Sequence, residues 1–219
     1  MTTPSTDQIA AARRALAAAD PALAKADAAV AAFEWRLHTA GLAGLSRMIV
    51  AQQVSTASAN AIWGRFAAGV GDFTPSAVLA LDDAALRSFG LSSQKARYVR
   101  AIAQAQLSGA VDFDRLGELS DAAAIAALTT IKGVGPWTAE LYLLFAEGRL
   151  DAFPAGDLAL QEGLRLADGA DTRLAEKALY ARAEAWRPYR GVAAHLLWAY
   201  YSLAKRGQLA TLQDAPKPL

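Results

Sequence analysis

The chain has 219 residues, 22 basic and 21 acidic side chains for a formal net charge of +1, two histidines and no cysteine. That length suffices for one large domain or for two small lobes sharing a cleft, while the missing cysteine excludes disulfides, thiolate zinc and any cysteine-ligated iron-sulfur cluster. His38 and His195 alone argue against a His-based metal site, and the near-even charge balance requires any nucleic-acid contact to be local rather than spread over a basic surface.

The opening seven residues carry no basic flank leading into an apolar stretch, so they do not read as a secretory signal. No apolar run approaches the roughly 20 residues that span a bilayer, and the expectation is a soluble protein without a membrane partner. Alanine and leucine dominate, apolar residues recur at spacings of three and four, and alternating β-branched runs are missing. This pattern predicts an all-α fold.

In chain order, the first thirty residues are alanine-rich, and Asp20-Pro21 has the N-cap and first-turn chemistry of a helix start; this segment is expected on the outside. Helices are predicted over about 42–55 and 56–68, the second ended by Gly69, Gly71 and Pro75. Asp82 or Asp83 can cap a turn ending near Gly90, Ser92 or Ser93 can cap a helix to about Leu107, and Ser120-Asp121 opens one to Leu128. After a tight turn, helices are placed at 136–147, 157–167, 172–186 and 188–206. The expected layout is a single helical domain over 1–206, two lobes around a cleft with one hairpin at 128–138, and a frayed tail over 207–219.

The tight turn is the informative segment. In Ile131-Lys132-Gly133-Val134-Gly135-Pro136 two glycines flank one valine, and the proline suits the first position of a new helix. Both glycines permit positive φ and leave backbone N–H groups uncovered, so the turn and the next helix's N-terminus can bind a phosphate oxygen. Val134 is expected to pack inward. Read by itself, the segment is equally a glycine-rich helix connection.

With Trp137-Thr138-Ala139 following it, this turn resembles the helix-hairpin-helix of the base-excision DNA glycosylase superfamily. Downstream, Asp151-Ala152-Phe153-Pro154-Ala155-Gly156-Asp157-Leu158 resembles that superfamily's loop carrying the catalytic aspartate. Upstream, Ile49-Val50-Ala51-Gln52-Gln53-Val54-Ser55 resembles the segment whose wedge residue fills the gap left by an extruded base. The three motifs and the helices between them cover about 42–205 and are most similar to the 3-methyladenine DNA glycosylase II group, in a compact form without the extra N-terminal β-rich domain.

The resemblance implies an enzyme that flips an alkylated purine out of double-stranded DNA, cuts its N-glycosidic bond and leaves an abasic site. Asp157 would be the catalytic residue, a carboxylate placed where positive charge develops on the sugar and able to orient or deprotonate the attacking water; by its position alone it reads rather as an ordinary helix N-cap. Trp137, Trp198 and Tyr142 would line the substrate pocket, where an indole face attracts a cationic purine. Some superfamily members have a lysine at the position of Trp137, which forms a Schiff base and adds lyase activity; tryptophan there implies a monofunctional enzyme. Gln52 and Gln53 would touch DNA, with Gln53 as the wedge. Lys132, Gly133, Val134 and Gly135 would hold phosphate, joined by Lys95, Arg97 and Arg100, with Arg187 and Arg190 close to Trp198 in sequence. The family's hairpin also binds a monovalent cation through backbone carbonyls, here those of Thr129, Ile131 and Val134. His195 receives no role, no cofactor is implied and a monomer is expected. In a bacterium the protein would work in the cytoplasm on the nucleoid. Two rivals remain at this point: a non-catalytic helix-hairpin-helix module that binds damaged or bent DNA, and a helical interaction protein unrelated to DNA.

Overall fold

Local capping chemistry sets most of the helix starts. In the computed structural model, which describes residues 3–33, 35 and 37–209, α1 (Thr6–Ala19) and α2 (Pro21–Ala29) lead to α3 (Gly41–Ala51) and α4 (Thr56–Val70). There follow α5 (Pro75–Ala80), α6 (Asp83–Ser88), α7 (Ser93–Leu107), α8 (Asp121–Thr129) and α9 (Pro136–Phe145), then α10 (Leu158–Asp168), α11 (Glu176–Ala183) and α12 (Arg190–Lys205). Two 3-10 turns, Leu116–Glu118 and Glu184–Trp186, complete the regular structure, and no strand occurs among the described residues. Side chains of Ser5, Asp20, Ser55, Thr74, Asp82, Ser92, Ser120 and Asp157 each accept an amide of the first turn that they precede, which stabilises a helix start by about 1 kcal/mol. Of the paired alternatives, Asp82 and Ser92 are the caps.

Two boundaries differ from the sequence expectation. The helix expected to reach Ser55 stops at Ala51, because Gln52 is extended and Gln53 turns left-handed with φ +56°. The helix expected to end at Gly69 continues to Val70. Gly69 is needed there for space, since a Cβ would come within 2.1 Å of the Phe89 ring.

The chain divides into two compact helical units, Leu37–Glu147 and the described residues of Thr2–Arg36 with Gly148–Leu219. In the first, α3 buries Leu42, Leu45 and Ile49 at helical spacing and packs on α4, α7 and α9. The α8–α9 pair forms the hairpin of this unit.

In the second unit α10 and α12 pack together, and α1 and α2 lie against α12. The approach of α10 to α12 is close at Gly163, where a Cβ would fall 2.4 Å from the Leu197 carbonyl oxygen. The expectation that the first thirty residues sit outside is corrected: Ile9, Ala12, Leu16, Leu23 and Ala26 are buried with Leu160, Leu164, Val192 and Leu196 in one core. Asp20 joins both ends of this unit. Its carboxylate accepts two hydrogen bonds from Arg182 at 2.8 and 2.9 Å and one from the Trp186 indole at 3.0 Å. No described helix is long and apolar enough to cross a membrane. Most of the expected C-terminal tail, 210–219, lies outside the described residues.

Candidate functional site

The hairpin is built from the turn outward. Ile131 and Val134 are buried between α8 and α9, and the Val134 amide donates to the Ile131 carbonyl at 3.0 Å, closing the turn. Gly133 sits at φ +95°, and a Cβ there would lie 2.2 Å from the Tyr98 ring, so both conformation and space demand glycine. Gly135 does not use the positive φ that glycine permits: it is extended at φ −90° and ψ 173°, with open space for 4 Å around the point where a Cβ would sit. Its missing side chain instead leaves the start of α9 without a side-chain cap. Gly135 and Lys132 are exposed, so the start of α9, which has no side-chain cap, and a lysine lie at the surface of one turn, where a helix dipole favours an anion. The three carbonyls expected to hold a cation have suitable chemistry: Thr129 ends α8, where carbonyls point out of the helix, and the Ile131 oxygen keeps a second lone pair beyond the Val134 amide.

Gln52 and Gln53 follow α3. Gln52 donates through Nε2 to Thr138 Oγ1 on α9 at 3.3 Å, which ties it to the hairpin helix. Gln53 is exposed and, among the described residues, is the one non-glycine residue with positive φ. A side chain held in that region costs roughly 1–2 kcal/mol, and such strain collects at functional positions. Lys95, expected on phosphate, is corrected: its ammonium donates instead to the carbonyls of Val50 and Gln52, both at 2.7 Å. Burial pushes its pKa below the usual lysine range.

Beside Gln52 opens an apolar pocket of about 200 Å³ lined by His38, Met48, Ala51, Gln52, Trp137, Thr138, Leu141 and Phe145. Trp137 is 38% exposed, so it is a wall rather than core. Tyr142, further along α9, is corrected: it is fully buried, packs on Phe113 at 5.8 Å, and its hydroxyl accepts the Gly41 amide at 2.7 Å. Burial raises its pKa, and it belongs to the scaffold. Residue spacing missed His38, which stacks on Phe145 at 5.1 Å and donates its amide to the Phe145 carbonyl. Burial, reinforced by the charge of Arg47, lowers the His38 pKa below the usual imidazole range.

In the second unit the loop 151–157 is pinned along its length. The Asp151 carboxylate accepts from the Arg190 backbone and guanidinium and from Arg187, Phe153 packs edge-on to Trp186 at 5.6 Å, and Gln161 donates to the Ala155 carbonyl at 2.8 Å. Asp157 emerges from this loop as the N-cap of α10. Its Oδ1 accepts the Leu160 amide at 2.9 Å and the Trp198 indole N–H at 3.0 Å. The capping role is therefore real, and the same oxygen is oriented by a tryptophan 41 residues away. Trp198 meets the edge of His195 at 5.8 Å, and His195 stacks on Trp35 at 4.3 Å with Nδ1 against the Gly191 carbonyl. His195, left without a role by sequence, is an aromatic support; burial lowers its pKa.

The basic residues sort clearly. Arg100 is paired with Asp83 and the Leu81 carbonyl, while Arg187 and Arg190 are engaged by Asp151 and Glu184, so these three are structural rather than poised for phosphate. Arg97 and Lys132 are exposed.

Comparisons with known proteins agree with this geometry. The sequence profile of the HhH-GPD superfamily base excision DNA repair proteins matches residues 46–188, which contain Gln52 and Gln53, the hairpin and Asp157. The chain is 34% identical over 164 residues to DNA-3-methyladenine glycosylase 1 of Schizosaccharomyces pombe, covering 73% of this chain and 72% of that one. The structure is similar to a DNA-3-methyladenine glycosidase of Bacillus halodurans, with a TM-score of 0.83 and 31% identity over 96% of this chain and 100% of that one. It is also similar to the Schizosaccharomyces pombe 3-methyladenine DNA glycosylase in complex with abasic DNA, with a TM-score of 0.75 and 28% identity over 86% of this chain and 95% of that one. This chain belongs to the HhH-GPD superfamily of base excision DNA repair proteins.

Proposed function

We propose that this protein is a monofunctional DNA glycosylase that releases alkylated purines such as 3-methyladenine from double-stranded DNA, hydrolysing the N-glycosidic bond of an extruded nucleotide and leaving an abasic site. The observation that carries the reading is the Asp157 carboxylate, fixed through Oδ1 by an amide and an indole N–H. Breaking the bond between C1′ and the purine nitrogen puts positive charge on the sugar. A preorganised carboxylate stabilises that charge as it develops and orients the water that adds to C1′, whose proton passes to the carboxylate or to solvent. An N-alkylated purine is already cationic, so it departs as a neutral base without a proton from an acid.

The remaining residues have supporting roles. The Gly133 and Gly135 amides and Lys132 grip a phosphate, the Val134 amide being committed instead to the Ile131 carbonyl; a monovalent cation on the carbonyls of Thr129, Ile131 and Val134 would neutralise the outward carbonyl end of α8, and Gln53 fills the vacated stack with Gln52 beside it. Trp137 offers a flat electron-rich wall suited to a cationic ring, and Trp198 combines a stacking face with its hold on Asp157. Tryptophan rather than lysine at 137 supports hydrolysis without strand cleavage. The protein acts as a monomer, in a bacterium on the nucleoid.

Asp157→Asn tests the mechanism, because asparagine retains an oxygen for both donors and removes only the charge. Incubation with methylated duplex DNA followed by identification of released bases is expected to show free 3-methyladenine from the wild type and a loss of about 10²–10³-fold in the variant. Unchanged release by Asp157→Asn would overturn the mechanism. No release by the wild type, with retained binding to abasic-analogue DNA, would favour the binding module.

A further inference from the structure

The loop after α3 must hold a strained residue in place, and the group that does so comes from another helix. The last carbonyls of an α-helix have no intrahelical partner, and positive charge is favourable at that end. At the end of α3 this charge is the Lys95 ammonium, sent from the first turn of α7 across 43 residues of sequence. One of the carbonyls it takes is that of Gln52, which shares a planar peptide with the Gln53 nitrogen. Fixing the tilt of that peptide fixes one side of the torsion φ at Gln53, the residue found at +56°. The second carbonyl, of Val50, anchors the same ammonium to the body of α3. Gln52's own side chain supplies a further tether on Thr138.

We infer that Lys95 is a positioning residue for the Gln53 wedge: its ammonium bridges the Val50 and Gln52 carbonyls and holds Gln53 in the left-handed conformation that presents its side chain to the DNA stack. Tyr98, three residues further and so on the same face of α7, seats Gly133 of the hairpin. One short stretch of α7 thus sets the spacing between the wedge and the phosphate grip. Lys95 is half-buried, and an ammonium withdrawn from water to make two short backbone bonds is committed to the loop rather than to a phosphate. The inference rests on the reading of Gln53 as the wedge, and the test separates the two.

The probe is a duplex carrying a tetrahydrofuran abasic analogue opposite 2-aminopurine, whose fluorescence at saturating protein reports unstacking independently of affinity. Single-turnover release from methylated duplex is the second readout. Lys95→Met, which keeps the stem and removes the charge, and Gln53→Ala are both expected to abolish the fluorescence change and to slow release at least tenfold. The double variant is expected to be no worse than Gln53→Ala alone, and Lys95→Arg to restore most of the signal. If Lys95→Met does not fold, Lys95→Gln, whose amide still donates, is expected to show a partial loss of the fluorescence change. Loss in Gln53→Ala with a wild-type signal in a folded Lys95 variant overturns the clamp alone. A wild-type signal in Gln53→Ala overturns the wedge reading and the clamp with it.

Discussion

Asp157 serves as helix cap and, in the proposed mechanism, as charged group through one oxygen, and substitutions can separate the two roles. As an N-cap it is replaceable by asparagine, whereas alanine forfeits the Leu160 bond, a loss of about 1 kcal/mol in stability. As a charged group it depends on Trp198, whose indole N–H fixes the carboxylate from the opposite helix of the α10–α12 pair. Trp198→Phe keeps an aromatic ring and deletes that bond. Its expected effect is roughly a tenfold fall in the single-turnover rate of base release, equivalent to about 1.4 kcal/mol, with little change in melting temperature. A fall in stability matching the loss of rate would show the indole to be a packing element only.

At the level of the element, the hairpin's two glycines make contrasting demands. Gly133→Ala places a Cβ 2.2 Å from the Tyr98 ring at a φ of +95°, so the turn must move. The expected cost exceeds about 1 kcal/mol, together with a loss of affinity for abasic-analogue DNA. Gly135→Ala meets nothing within 4 Å in an extended backbone. It is expected to leave the melting temperature unchanged and to weaken DNA binding alone, by crowding the amide proposed to bind phosphate. Melting curves and titrations of the two variants under one salt condition check this contrast, since phosphate contacts are salt-dependent.

For the molecule as a whole, the second unit depends on contacts between the two ends of the chain. Burial pushes the Asp20 carboxyl up, but hydrogen bonds from Arg182, the Ala22 amide and the Trp186 indole outweigh it and hold the pKa below the usual carboxylate range. A depressed folded-state pKa means that the contribution to stability is present above the unfolded-state value, near 3.9 for an aspartate, and is lost as pH falls through the lower folded-state value. Asp20→Ala is expected to destabilise the protein at neutral pH by about 3 kcal/mol, the lower end for a broken buried pair, because Arg182 is partly exposed and keeps Asp168. The gap between variant and wild type, measured by thermal melts, should be constant from pH 8 to about 5 and narrow below about 4.

The sequence by itself determined the all-helical class, most helix starts, the hairpin and the motif that contains Asp157. These are legible because a cap or a tight turn acts within three or four residues, and the Ser, Asp, Gly and Pro that do so stand next to the structure they specify. The tertiary structure decided which long side chains serve those motifs. Tyr142 and Trp137 share a helix and an aromatic character, yet one is buried under the Gly41 amide and the other walls a pocket. Lys95 reads as a surface cation until α3 ends beside it. The first thirty residues read as an outer layer until α10 and α12 supply the apolar face they cover. In each case the partner lies tens of residues or more away in the chain, and only packing determines whether an ammonium, an indole or a phenol meets water, a backbone carbonyl or another ring.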